Sequence, residues 1–119
     1  MFEDGRPLFQ QIAEQIEGDI LDGVYDEESQ VPSTNELAAF LRINPATAGK
    51  GLNLLVESGV LYKKRGIGMF VATGARERLL RARRAAFAAE YIVPLLREAS
   101  KLTITPEEIA HMIQKEASR

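Results

Sequence analysis

At 119 residues, with a formal net charge of −2 and 45% hydrophobic residues, the chain has room for one ordinary domain, or for a small domain with an appendage. It has no cysteine, which excludes disulfides and thiolate metal sites. No apolar run approaches the roughly 20 residues that span a membrane, and the acidic opening MFEDGRPLFQ lacks the core of a secretory leader, so a cytoplasmic protein is expected. The charge is segregated. Residues 1–30 carry nine carboxylates and one cation, whereas residues 60–84 carry eight cations and one carboxylate. A chain that is acidic overall can therefore still present a basic face to a polyanion.

In chain order, Leu8, Ile12, Ile16 and Ile20 recur every four residues behind Pro7. They predict an amphipathic helix over 7–22, with Gly23 beyond its end. Val24, Tyr25 and Val31 of the polar connection are expected to tuck against the core. Ser33-Thr34-Asn35-Glu36 has the S-x-x-E spacing of a capping box and opens a second helix, to about Leu41, that buries Leu37, Ala38 and Leu41. Arg42-Ile43 makes a tight turn. Asn44-Pro45 then opens a third helix, with Asn as N-cap and Pro at the first helical position, running to about Ser58. Its buried face is Ala48, Leu52 and Leu55. Ala46, Thr47, Lys50 and Asn53 lie largely away from that face.

Val60-Leu61-Tyr62 and Met69-Phe70-Val71 read as short strands around the turn Lys63-Lys64-Arg65-Gly66-Ile67-Gly68. A helix pair can place its second helix in a major groove, while a basic turn beside it holds phosphates or enters the minor groove. Beyond Thr73-Gly74 the composition turns Ala- and Arg-rich and strongly helical. Pro94 should kink or interrupt this stretch. Thr105-Pro106-Glu107-Glu108 starts a last helix with the apolar face Ile109, Met112 and Ile113.

The runs PLFQQIAEQIEGDILDG, VPSTNELA, INPATAGKGLNLLVESGVL and KKRGIGMFV, in that order over about residues 7–72, resemble the GntR family of bacterial transcription regulators. Asn-Pro at the third helix and the short tail resemble its YtrA-like subfamily. The resemblance implies a mainly α fold with a small β-hairpin: a winged helix-turn-helix over residues 1–73, then a two-helix dimerisation region over 74–119. It also implies a homodimer that reads an inverted-repeat operator in double-stranded DNA, with repression as the expected direction and no cofactor. The residues expected at DNA are Ser33, Asn35, Asn44, Ala46, Thr47 and Lys50, with Lys63, Lys64, Arg65, Gly66 and Gly68 of the wing. Asn35 stands where the family often has an arginine, and Gly49 and Gly51 straddle Lys50 inside the reading helix. Those glycines imply either a close backbone approach to DNA or drift in a helix held by Leu52 and Leu55.

The expected dimer seam is Leu79, Leu80, Phe87, Tyr91, Ile92, Leu95, Leu96, Ile109 and Met112. Phe87, Tyr91 and Met112 also suit an apolar pocket for a small-molecule effector of unknown identity. A winged-helix module that binds protein is the other function class, and the basic wing and Lys50 favour DNA over it. An enzyme is not expected. His111 stands alone near the C-terminus, Gly66-Ile67-Gly68 lacks the strand-to-helix setting of a phosphate loop, and no metal-ligand cluster occurs in the sequence.

Overall fold

The computed structural model describes residues 2–3 and 5–119. Helix α1 (Leu8–Leu21) buries Ile12, Ala13, Ile16 and Ile20, as the fourfold spacing requires. Gly23 ends it in the left-handed conformation, φ +82°. The side chain of Gln11 folds the preceding arm onto the helix. Its oxygen accepts from the Glu3 N–H at 2.6 Å, and its NH2 donates to the carbonyls of Glu3 and Arg6 at 2.8 and 3.0 Å.

Helix α2 (Thr34–Leu41) carries both halves of the capping box and buries Leu37 and Ala38. Arg42 caps its end in a left-handed conformation, φ +57°, and turns the chain into α3 (Pro45–Glu57). There Asn44 Oδ1 accepts from the Ala46 N–H at 2.8 Å. Helix α3 buries Ala48, Leu52 and Leu55.

Gly51 has a third explanation, distinct from approach to DNA and from drift. A Cβ added there would stand 3.0 Å from the Phe9 carbonyl oxygen and 3.1 Å from Ile12 Cγ2. Helices α1 and α3 thus meet so closely that a Cβ at Gly51 would require α1 to give by a few tenths of an ångström. Gly49 is different: an added Cβ would touch only Thr34, at an ordinary 3.4 Å.

Strands β1 (Leu61–Lys64) and β2 (Gly68–Val71) pair antiparallel, with Leu61 opposite Val71 and Lys64 opposite Gly68. The connection between α1 and α2 runs along β2, through a bridge from Gln30 to Phe70. Val31 is buried there and Tyr25 half-buried, but Val24 is 63% exposed and not tucked in as the sequence suggests.

Helix α4 (Ala75–Phe87) contributes Ala75 and Leu79 to the same core. Its first turn is capped from far along the chain: Glu27 accepts from the Gly74 and Arg76 N–H groups at 2.9 and 3.3 Å. Leu79 therefore does not belong to an open dimer seam. It is 7% exposed and already covered by its own fold.

The chain divides into two compact units, one ending at Leu80 and the other comprising residues 81–119. The division falls inside α4 rather than at Thr73-Gly74, because Ala75 and Leu79 are needed to close the first core. In the second unit a wide π turn, Ala88–Ile92, precedes α5 (Val93–Lys101). Pro94 has no N–H to give and would clash with the carbonyl four residues back in a continuous α-helix, so the helix restarts with Pro94 in its first turn. Thr103, φ +56°, turns the chain into α6 (Pro106–Ala117), whose Thr105–Glu108 capping box is complete. Ile109 and Ala99 are buried in this unit. No helix among the described residues is long and apolar enough to cross a membrane.

Candidate nucleic-acid interface

Three neighbouring elements of the first unit carry the residues singled out in the sequence. At the start of α2 the Ser33 hydroxyl accepts from the Glu36 N–H at 3.1 Å, and Glu36 accepts from the Ser33 N–H at 2.9 Å. The Ser33 backbone N–H, then its hydroxyl, hold the Glu36 carboxyl below the usual carboxylate range. Ser33 thus serves the helix, while Asn35 in the same turn is exposed.

On α3, Asn44 uses its side-chain oxygen as the cap. Ala46 is exposed and Thr47 half-buried. Lys50 is exposed, and its ammonium lies 4.2 Å from the centre of the Phe9 ring on α1. A cation over a ring is worth about 0.5–1 kcal/mol at an exposed position, so the Phe9 ring biases where the Lys50 ammonium rests.

The wing is not a uniform basic turn. The Ile67 N–H closes it onto the Lys64 carbonyl at 2.9 Å, and Gly66 adopts φ +77°, a conformation in which a side chain would be strained. Side chains alternate along a strand, so Lys63 shares a face with buried Leu61 and lies opposite Met69. Lys64 shares the other face with Tyr62 and Phe70. Those rings stack at 5.9 Å, and the Lys64 ammonium sits 4.4 Å from the Phe70 centre and 6.0 Å from that of Tyr62. Lys63, Lys64, Arg65, Gly66 and Ile67 are all exposed, and Gly68 is half-buried beneath the Gln30 side chain.

Two arginines of the basic stretch that follows are structural. Arg76 donates to the Leu21 carbonyl at the end of α1 at 3.2 Å, and Arg78 to the Gly59 carbonyl beyond α3 at 2.6 Å. Cations at helix C-termini satisfy open carbonyls and favour the helix dipole. Glu28 and Gln30, which no local pattern in the sequence marks, touch the wing across more than thirty residues of chain. Among the described residues no cluster of histidine, aspartate and glutamate is placed to hold a metal ion.

Residues 8–71, more than half of the chain, match the bacterial regulatory proteins of the gntR family. Over 74 residues the chain is 30% identical to the HTH-type transcriptional repressor YtrA of Bacillus subtilis strain 168. That match covers 62% of this chain and 57% of YtrA, so the chain spans little more than half of this curated relative. A GntR family transcriptional regulator from Listeria monocytogenes has the same fold, with a TM-score of 0.76 and 29% identity over 96% of this chain and 98% of that one. The AraR DNA-binding domain, solved in complex with operator ORX1, gives a TM-score of 0.56 and 30% identity over 60% of this chain and 93% of that one. These relatives are regulators of transcription and not enzymes. With its mainly helical winged helix-turn-helix and two-stranded hairpin, the chain belongs to the gntR family of bacterial regulatory proteins.

Proposed function

We propose that the chain is a cytoplasmic repressor that binds an inverted-repeat operator as a homodimer. The α3 helix reads bases, and the wing and the start of α2 hold the backbone. The observation that carries this reading is the open first half of α3, with small Ala46 and exposed Lys50, in a unit like one solved on operator DNA. In helix-turn-helix docking the N-terminal part of the second helix enters the groove. Asn35, Thr47 and Lys50 are the specificity residues of this reading. Lys63, Lys64 and Arg65 supply affinity for phosphate.

The test measures binding of the full chain to duplex DNA from its own promoter region and to random DNA, at two salt concentrations. Thr47→Ala and Lys50→Ala should cost about 1–3 kcal/mol on the operator and much less on random DNA. Equal losses on both DNAs would make Lys50 a phosphate contact. Absence of any salt-sensitive binding would overturn the reading in favour of a protein-binding module.

The dimer rests on the second unit. Leu95, Leu102, Met112 and Ile113 stand exposed around a groove of 420 Å3 between α5 and α6. Phe87, Tyr91, Ile92 and Leu96 are exposed as well, with the Phe87 and Tyr91 rings 5.4 Å apart. Covering such a surface with a second copy would bury apolar area on both sides. A small-molecule effector is a second use of the groove, favoured by its almost wholly apolar wall. Sedimentation at micromolar concentration separates the two: a dimer supports the first use, and a stable monomer leaves the groove to the second.

A further inference from the structure

An acidic segment, Asp26-Glu27-Glu28, lies beside the most basic part of the first unit. Residues 28–31 run along β2 like a third strand. The Glu28 N–H donates to the Val71 carbonyl at 2.8 Å, Val71 returns a bond to the Ser29 carbonyl at 3.0 Å, and Val31 donates to Met69 at 3.0 Å. Glu28 is left-handed, φ +67°, a conformation in which residues with a Cβ are uncommon. Its side chain has a specific use. One carboxylate oxygen accepts from the Tyr62 hydroxyl and the other from the Thr73 hydroxyl. Tyr62 is the base of the stack that carries Phe70 and Lys64. Nearer the tip, the Gln30 NH2 donates to the Ile67 carbonyl at 3.1 Å. A Cβ on Gly68 would collide with that same nitrogen unless the Gln30 side chain moved aside.

From this geometry we infer that Glu28 and Gln30 are positioning residues that preset the wing for nucleic acid, Glu28 at its root and Gln30 at its tip. The inference rests on the reading that the wing contacts DNA. Neither residue needs to touch the DNA. Electrostatics alone makes the opposite demand on Glu28, because a carboxylate near Lys64 repels phosphate and its removal should tighten binding. A preset wing requires the reverse. Without the clasp, the Tyr62–Phe70–Lys64 stack has to be ordered on binding, and that ordering weakens the complex.

The test uses the full chain and a mixed-sequence duplex of about 30 base pairs, long enough for two half-sites one turn apart, at low salt, where phosphate contacts dominate. Glu28→Gly keeps the left-handed turn at ease, removes the charge and opens the clasp. It should lower affinity about tenfold, the effect of leaving one or two side chains to be ordered on binding, with an unchanged salt slope. Glu28→Gln also removes the charge but can still bond to both hydroxyls, and should restore affinity to within about twofold. Tyr62→Phe removes one hydroxyl and keeps the stack, so it should fall between the two. Glu28→Gly binding as tightly as wild type, or more tightly, would overturn the inference. So would Glu28→Gln weakening binding as much as Glu28→Gly. A Lys63→Ala/Lys64→Ala double variant with the wild-type salt slope would instead show that the wing is not at DNA, and would remove the reading on which the inference stands.

Discussion

The two units use the same apolar vocabulary with opposite results. In the first, α1, α2, α3, the hairpin and the start of α4 converge, and residues such as Ile12, Leu52, Leu61 and Val71 are almost wholly buried. In the second, Ala99 and Ile109 are the buried apolar residues among those described, while Leu95, Leu102, Met112 and Ile113 remain exposed. The number of elements explains the difference. An interrupted helix and one short helix can cover only one face of each other, whereas four or more elements can enclose a centre. An apolar stripe at helical spacing therefore specifies a surface to be covered, and the rest of the chain decides whether the cover is internal.

That contrast can be tested by substitution on each side. Leu52→Ala should have the largest effect, lowering the stability of the first unit by about 2–5 kcal/mol in denaturant titration. It should leave self-association per folded chain unchanged, and any loss of dimer beyond that of folded protein would join the two units energetically. Gly51→Ala should cost about 1–3 kcal/mol, because strain against Phe9 outweighs the gain in helix propensity of about 1 kcal/mol. A stabilised variant would mean that α1 can yield.

On the other side, Met112→Asp should weaken the proposed dimer about tenfold or more in sedimentation, a loss of at least about 1.4 kcal/mol. It should not move the melting of the first unit. An unchanged dimer would put the partner surface elsewhere. A smaller effect separates the two wing lysines. Lys63→Ala and Lys64→Ala should each reduce the salt slope by about 0.9 for every phosphate left without its cation, and the Lys64 change should also loosen the Tyr62–Phe70 stack.

The smallest effect is acid sensitivity. Hydrogen bonds from Thr73 and then Tyr62 hold the Glu28 carboxyl below its usual range. The clasp's contribution is therefore complete above the ordinary glutamate value of about 4.3, and is lost as pH falls through the lower folded value. Nuclear magnetic resonance of the Tyr62 ring should follow that lower titration. A midpoint at the ordinary value would mean that the carboxylate is not held.

The legible parts of the fold are those written within a few residues. Ser33 with Glu36, Asn44 with Pro45, Thr105 with Glu108, and Gly59 after α3 each state a helix end locally, and each stands where the spacing puts it. Helix α3 and the hairpin with its basic turn are legible for the same reason. What is not legible depends on partners distant in the chain. Leu79 reads as one member of an exposed seam until the core that receives it is known. Lys50 reads as a free cation until Phe9 is placed beneath it. Arg76 and Arg78 read as part of a basic face, although their guanidinium groups serve helix ends. Gly51 reads as drift or as an approach to DNA because the atom that a methyl there would crowd is a backbone oxygen of another helix.

The Glu28 clasp also has a consequence in time. A capping box joins groups three residues apart and can form as fast as its helix, in about a microsecond or less. The Glu28 bonds to Tyr62 and Thr73 close loops of 34 and 45 residues, and they lie at the exposed edge of the core. Closure on that scale waits for the helices to assemble, and opening it disturbs no buried side chain. The clasp should thus lock after the helices of the first unit have assembled, and amide hydrogens of the wing should exchange with solvent before those around Leu52.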